Sequence, residues 1–244
     1  MPITSLRSLF FISLFVSTYA FACPEITESL EPSLSIKIKK LCRPEYEMAY
    51  SLQRKSPVWV GENLTREELS DSEPRLNLFR DDPDLPEGSK AELRDYVGSG
   101  YDRGHLAPAG DASTIDGMIQ SFYLSNMVPQ MPANNRGIWK SVEMHVRSWA
   151  KARGQLVVFT GPIFGKEPLT IGPDKIPVPR ALFKIMYDAK TRESLTLIVP
   201  NEKIPSSLLP KYVSTLAQVK KEAGIEFLSG LKPLEGKQLW NISE

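Results

Sequence analysis

The chain has 244 residues, with 30 basic and 29 acidic side chains, two histidines and a net charge of +1. That length suits one large domain or two small ones, and the ordinary mix of 41% hydrophobic and 24% charged residues excludes collagen-like, coiled-coil and disordered classes. Near-neutral charge also argues against a strongly basic, high-affinity DNA-binding module, so any contact with phosphate must be local.

Residues 1–22 contain no acid and a single base, Arg7. An apolar run, LFFISLFV, leads into STYAFAC, where Ala20 and Ala22 occupy the small-residue positions that a signal peptidase reads. The run is shorter than the ~20 apolar residues that a membrane span needs. The expectation is a cleaved signal peptide over 1–22, a secreted or periplasmic location, and no membrane contact beyond the signal. In an oxidising compartment Cys23 and Cys42, the only two cysteines, would form a disulfide. Neither has a histidine nearby in sequence, which speaks against a thiol nucleophile. Two cysteines and two scattered histidines also lack zinc-ligand spacing.

Residues 23–55 are expected to be partly helical, because EYEMAYSLQRK carries apolar residues on a helical period. PVWVGENLT (57–65) predicts a short strand entering a polar turn. Residues 61–97 are rich in charge and proline and read as a solvated loop, of a length that is often functional. FYLSNMVPQ (122–130) predicts a short strand ending at Pro129. PANNRGIWKSVEMHVRSWAKARG (132–154) is the strongest helix, with Ile138, Val142, Val146 and Trp149 as its apolar stripe. Asn134 or Asn135 can cap its start and Gly154 can end it. QLVVFTGPIF (155–164) predicts a buried strand. Residues 180–201 alternate, turn around 188–192 and alternate again, as a hairpin does. PKYVSTLAQVKKEAG (210–224) predicts an amphipathic helix. Antiparallel strands with irregularly spaced helices point to an α+β fold. No repeat or long linker interrupts the chain, so residues 23–244 read as one domain.

The chemistry concentrates in YDRGHLAPAGD (101–111). Arg103 is permanently cationic and can hold a phosphate oxygen. Gly104 lets a backbone or substrate come close. Beside that charge His105 is favoured as a neutral imidazole, which suits a general base. Downstream, Asn126, Asn135 and Glu143 follow in SNMVPQMPANNRGIWKSVE. On a helix, Asn135, Trp139 and Glu143 drift by only about 40° per step and can share one edge. An amide oxygen and a carboxylate there can hold a hard cation that keeps several waters. Taken alone, Asn135 also makes a good N-cap and Glu143 an ordinary surface residue. His145 lies two residues past Glu143 and faces elsewhere. Trp139 and Trp149 read as core. Asn63 and Asn241 sit in glycosylation sequons.

Together, YDRGHLAPAGD, FYLSNMVPQ and NNRGIWKSVE, in this order and spacing, resemble the DNA/RNA non-specific endonuclease family. These are the ββα-metal (His-Me finger) nucleases that include endonuclease G. VVFTGPIFG (157–165), IPVPRALFKIMYD (176–188) and LIVPN (197–201) are similar to the family's C-terminal half, so the resemblance covers about residues 45–205. It implies a ββα-metal nuclease fold with a central antiparallel sheet flanked by helices. It also implies His105 as general base, Asn135 as direct metal ligand, Glu143 as the carboxylate holding metal-bound water, Asn126 as an active-site asparagine supporting the geometry, and Arg103 near the scissile phosphate. A further upstream arginine is expected within RLNLFRDDPDL, where Arg75 and Arg80 flank Phe79 and neither falls cleanly on the pattern; Arg75 is favoured.

The implied cofactor is Mg²⁺, with Mn²⁺ as the alternative, and the implied substrates are DNA and RNA. Family members often form dimers, so a second copy is a candidate partner. With an ordinary imidazole pKa of about 6.5, activity would fall in acid as His105 protonates. Two other readings compete. One is a nucleic-acid-binding protein without catalysis, against which the joint presence of His105, Asn135 and Glu143 argues. The other is a phosphodiesterase acting on a small substrate, which needs no long basic groove.

Overall fold

Alternation with period two builds the centre of the molecule. In the computed structural model, residues 26, 30, 32–71, 73–236 and 240 are described. The signal reading on 1–22, Cys23 and the Asn241 sequon fall outside them. The elements follow in chain order: β1 (Lys39–Cys42), β2 (Glu47–Ser51) and β3 (Ser56–Thr65), then α1 (Leu93–Tyr96), β4 (Asp102–His105), α2 (Ile115–Ser121), β5 (Met127–Gln130) and α3 (Lys140–Arg153), then β6 (Gln155–Ile163), β7 (Ala181–Asp188), β8 (Glu193–Pro200), β9 (Val213–Ser214) and α4 (Leu216–Ala223).

The main sheet runs β9-β8-β7-β6-β3-β2-β1 with every neighbour antiparallel, and a short strand at Leu234–Glu235 joins β8 in parallel. Both faces are covered. Leu156, Val158, Leu182 and Met186 point to one face, where α3 buries Val142, Val146 and Ala150. Val157, Phe159, Phe183 and Ile185 point to the other, where α4 contributes Val219. Each such side chain removed from water contributes about 1.5–3 kcal/mol before entropy is charged. By the same alternation Thr160 and Lys184 fall on the α3 face, and both are buried there.

The hairpin at 180–201 forms as expected, with Ala181 opposite Pro200 and Asp188 opposite Glu193. Four local expectations need correction. EYEMAYSLQRK is strand β2 and a turn, not helix: Tyr46, Met48 and Tyr50 alternate into the α3-side core while Ala49 faces the other side. Burial on both faces fills the polar positions, and a short apolar run then mimics a helical period. The strand expected over 122–130 begins only at Met127, after a 3₁₀ turn at Leu124–Asn126. The long helix is not capped by Asn134 or Asn135. It opens at Pro132, passes through a π-turn at Asn135–Trp139 with Gly137 outside helical geometry (φ −108, ψ −111), and becomes regular at Lys140. Finally, the helix expected over 210–224 starts at Leu216, where Thr215 Oγ1 caps by accepting from Gln218 N at 3.1 Å.

Cys42 ends β1 and is not a free thiol, while Cys23, its expected partner, lies outside the described residues. Among the described residues, no helix is long and apolar enough to cross a membrane.

Candidate active site

A separate two-stranded ribbon carries the Asp-Arg-Gly-His tetrad. β4 and β5 pair antiparallel, with Asp102 opposite Gln130, Arg103 opposite Pro129, Gly104 opposite Val128 and His105 opposite Met127. Alternation puts Arg103 and His105 on one face of the ribbon and Asp102 and Gly104 on the other. The helical segment from Pro132 through α3 follows the ribbon directly, which completes a strand–strand–helix unit.

Gly104 has a purpose that the sequence did not suggest. A Cβ there would lie 2.0 Å from Gln130 Oε1 and 2.7 Å from Gln130 Cβ. The glycine therefore admits the buried Gln130 side chain rather than a substrate, and Gln130 Nε2 in turn donates to Asn134 Oδ1 at 2.7 Å.

Immediately after His105 the chain is clipped by Asn126. Its backbone oxygen accepts from Leu106 N at 3.0 Å, and its Oδ1 accepts from Ala107 N at 2.9 Å. Its Nδ2 donates to Ala107 O at 2.8 Å and to Ser121 O at 2.9 Å. Asn126 is fully buried and does not line the cleft described below. Its contacts position the peptide that follows His105.

His105 is 7% exposed and sits among rings. Phe122 lies edge-on at 5.0 Å between centroids and Phe79 is tilted at 5.7 Å. Each phenylalanine carries an arginine. Arg103 Cζ stands 4.0 Å from the Phe79 centroid and Arg75 Cζ 5.0 Å from that of Phe122. Burial, then the charges of Arg75 and Arg103, push the His105 pKa down to about 3. The ordinary imidazole value expected from the sequence does not hold, because enclosure adds to the effect of the arginine. His105 Nε2 is buried without a protein hydrogen-bond partner.

His105, Arg103, Arg75, Asn135 and Glu143 line one cleft of about 870 Å³. Arg136, Lys140 and Arg147 line it too, so five permanent cations gather around Asp102 and Glu143. This is the local concentration of charge that a near-neutral chain requires. Arg80 is absent from the lining and rests instead over Tyr123, 5.0 Å from the ring centroid.

Asn135 Nδ2 donates to Asp102 Oδ2 at 2.9 Å, which leaves the amide oxygen as the atom free to accept or ligate. Arg136 grips the same carboxylate from Nε at 2.8 Å and Nη2 at 2.6 Å. Glu143 is raised to about 7, first by burial, against the pull of Lys184, and then by Asp111; Arg147 and Arg75 pull it back. Trp139 does not share the cleft edge with its neighbours. The π-turn sends it into the core, where it is fully buried with Lys184 Nζ 5.6 Å from its ring centroid.

The donor set suits a hard cation. An amide oxygen and a carboxylate meet in the cleft that holds His105, and Mg²⁺ prefers oxygen ligands while keeping water. Among the described residues, no group of three or more His, Cys, Asp or Glu is placed to hold a metal, so such an ion would lean on Asn135, Glu143 and water.

Several lining residues escaped the sequence reading. Arg147 was legible, since it lies four residues beyond Glu143 on one helix and shares its face. It pairs with the buried Asp111 at 2.7 Å. Lys140, three residues before Glu143, follows the same rule. Arg136 carries no such signal, because a π-turn breaks the spacing. His145 is exposed, donates from Nδ1 to Ser141 O at 2.7 Å, and packs 5.5 Å from Trp149, away from the cleft as expected.

Comparison with known proteins identifies the family. Residues 27–234 match the sequence pattern of the DNA/RNA non-specific endonuclease family. Nuclease EXOG, mitochondrial, of Xenopus laevis is 35% identical over 213 residues, 78% of this chain and 60% of the frog protein. The chain thus spans about three fifths of that relative's length. The mitochondrial nuclease of Saccharomyces cerevisiae is 34% identical over 222 residues, covering 81% of this chain and 68% of the yeast protein. A crystal structure of the EndoG/EndoGI complex contains a chain that superimposes with a TM-score of 0.73 at 26% identity, covering 79% of this chain and 86% of that one. The strand–strand–helix unit and the antiparallel sheet are those of a ββα-metal nuclease.

One expectation is overturned. The frog and yeast relatives are both named as mitochondrial nucleases, which overturns the reading of a secreted or periplasmic location. The pattern match over most of the chain and the shared fold make the conclusion plain: this chain belongs to the DNA/RNA non-specific endonuclease family.

Proposed function

We propose that residues 23–244 act as one domain that hydrolyses phosphodiester bonds within DNA and RNA in a metal-dependent reaction. One observation carries the reading: a buried neutral histidine, two arginines and two oxygen donors line a single cleft ringed with cations. The family match over 27–234 supports the domain limits.

His105 takes the proton from the attacking water at Nε2, the buried nitrogen that has no protein partner. Its low pKa keeps the imidazole unprotonated at neutral pH. Arg103 and Arg75, stacked on Phe79 and Phe122, are held beside it and counter the charge that builds on the phosphorus oxygens. Asn135 and Glu143 would hold Mg²⁺ or Mn²⁺, which when bound supplies further positive charge beside the phosphate. Asn126 fixes the peptide after His105 and so the aim of the ring. Contacts made to phosphate and sugar carry no sequence information, which fits a site that accepts both polymers.

The test uses supercoiled plasmid and single-stranded RNA, each with Mg²⁺ or EDTA, for the wild-type chain and His105→Ala. Nicking and then degradation of both polymers only with metal, lost in His105→Ala, is the expected result. Binding without cleavage under any divalent metal would instead favour a binding protein. Intact polymers with hydrolysis of small phosphodiesters would favour a small-substrate phosphodiesterase.

A further inference from the structure

The cleft lining is not uniform. Arg75, Arg103, Arg136, Lys140 and Arg147 bring positive charge to it, but one continuous segment contributes Leu93, Tyr96, Val97 and Tyr101. Phosphate recognition gives no reason for apolar side chains at that rim. Their exposure is costly: Leu93 is 41% and Val97 80% exposed.

That exposure is built into the backbone. Val97 follows α1 in extended geometry. The next turn is tied by Ser99 N and Oγ, which donate to Tyr96 O at 3.2 and 2.9 Å, and by Tyr101 N, which donates to Ser99 Oγ at 3.1 Å. Gly98 and Gly100 take φ of 67° and 80°, the left-handed region that lets so short a loop reverse. Beneath, buried Asp95 accepts from Glu92 N at 2.8 Å and from Asp174 N at 2.9 Å. Tyr101 packs one side on the small core of Ala91, Tyr96, Leu124 and Met127. A rigid turn therefore presents an apolar edge beside a cationic cleft.

We propose that Val97 and Tyr101, with Leu93, are specificity-determining residues that receive an unpaired nucleobase next to the cleaved phosphate and make single-stranded nucleic acid the favoured substrate. The proposal rests on the endonuclease reading and adds the form of the polymer to it. The charge of the cleft selects a polyanion, and a strand whose phosphates meet Arg75 and Arg103 carries its bases within reach of the rim. Nucleobases pair a flat apolar face with that charge, which is what such a surface accepts. In a duplex those faces are stacked on their neighbours, so a double strand must be unstacked locally before it can use the rim.

The test measures kcat/KM with Mg²⁺ on a short single-stranded DNA, on its duplex, and on the same single strand carrying abasic nucleotides around one phosphate. Wild type is expected to favour the single strand by about tenfold, the size of one base-on-aromatic contact. The abasic nucleotides, which keep every phosphate, should remove that advantage at the neighbouring bond. Val97→Ser and Tyr101→Ala should bring the single-strand to duplex ratio to about one, mainly through KM on the single strand. Val97→Ser alters an exposed side chain, so its ratio reports on recognition even if Tyr101→Ala does not fold. Ile115→Ser, an exposed apolar residue away from the cleft, should keep the wild-type ratio. Equal kcat/KM on single strand and duplex, or indifference to the abasic nucleotides, overturns the rim and leaves the endonuclease reading standing. No cleavage of either polymer by wild type overturns both.

Discussion

Asp102 accepts a hydrogen bond from Asn135 Nδ2 at 2.9 Å, joining the first residue of the tetrad strand to the candidate metal ligand on the helical segment. The same carboxylate is held in a fork by Arg136. Those contacts hold the Asp102 pKa below the ordinary carboxylate value, against the effect of burial, which is the largest single influence and acts upwards. Asp102 therefore orients the Asn135 amide, whose oxygen would face the proposed ion.

The first prediction follows from that contact. Asp102→Ala frees the Asn135 amide to turn, so the Mg²⁺ concentration for half-maximal cleavage should rise by about tenfold or more, as loss of a partner to a metal ligand commonly does. At saturating Mg²⁺ much of kcat should return. A metal titration checks it. An unchanged half-saturation point with a lower kcat would show that Asp102 does something other than orient Asn135.

The second prediction concerns pH. His105 is pushed down to about 3 in the folded chain, whereas an unfolded histidine titrates at about 6.5. Between those values the unfolded chain takes up a proton that the folded chain refuses. The neutral histidine therefore weakens the fold progressively as pH falls from about 6.5 towards 3, and this source of loss stops below about 3, where both states are protonated. Two histidines make this visible by proton NMR. With one imidazole signal assigned through His145→Gln, the His105 signal should stay unprotonated through pH 5. Any fall in activity between pH 7 and pH 5 then belongs to other groups. A midpoint for His105 near 6.5 would remove this claim and the enclosure on which it rests.

A third prediction tests the ribbon. Gly104→Ala puts a methyl 2.0 Å from Gln130 Oε1, so either the buried glutamine or the strand must move. Overpacking of this kind costs about 1–3 kcal/mol. Urea unfolding should show that loss, with reduced cleavage because His105 is the next residue. Gln130→Ala in the same chain should recover part of it, a non-additivity that residues in contact display. Additive losses would mean that Gly104 is needed for another reason.

Much of this was legible in the sequence, for identifiable reasons. The hairpin at 180–201 could be read because its strands alternate and its turn residues are polar. Helix α3 could be read because Val142 and Val146 repeat on a helical period. Strand β2 was hidden because Ala49 is buried on the face opposite Met48 and Tyr50, which erases the alternation. At the site, Asp102, Arg103, His105, Asn135 and Glu143 could be found as residues, and they do gather in one cleft. The rings that enclose His105 could not. Phe79 comes from a loop without period and Phe122 from the end of α2, and only folding brings both to the imidazole. The π-turn was equally invisible, since its cause is the backbone of Gly137 and not a pattern of side chains.

The last prediction separates the two upstream arginines, which sequence left unresolved. Arg75 lines the cleft, lies on Phe122 and is tied by Nε to Asn77 Oδ1 at 2.7 Å; Asn77 itself takes a left-handed φ of 53°. Burial lowers the Arg75 pKa, and Glu143, the candidate metal carboxylate, pulls it back up. Arg80 is held over Tyr123, away from His105. Arg75→Ala should therefore lower kcat/KM by about 10²-fold, the usual effect of losing one preorganised donor to a developing oxyanion, while Arg80→Ala should cost only a few-fold. Arg75→Lys should recover little, because a point charge does not reproduce a planar fork stacked on a ring. A second consequence belongs to Arg75 alone. Its charge is one of the two that depress His105, so Arg75→Ala should also raise the His105 midpoint in the NMR titration, and Arg80→Ala should leave it unmoved. Equal kinetic losses from the two alanine variants, with no movement of the His105 midpoint in either, would place the upstream arginine function outside this cleft.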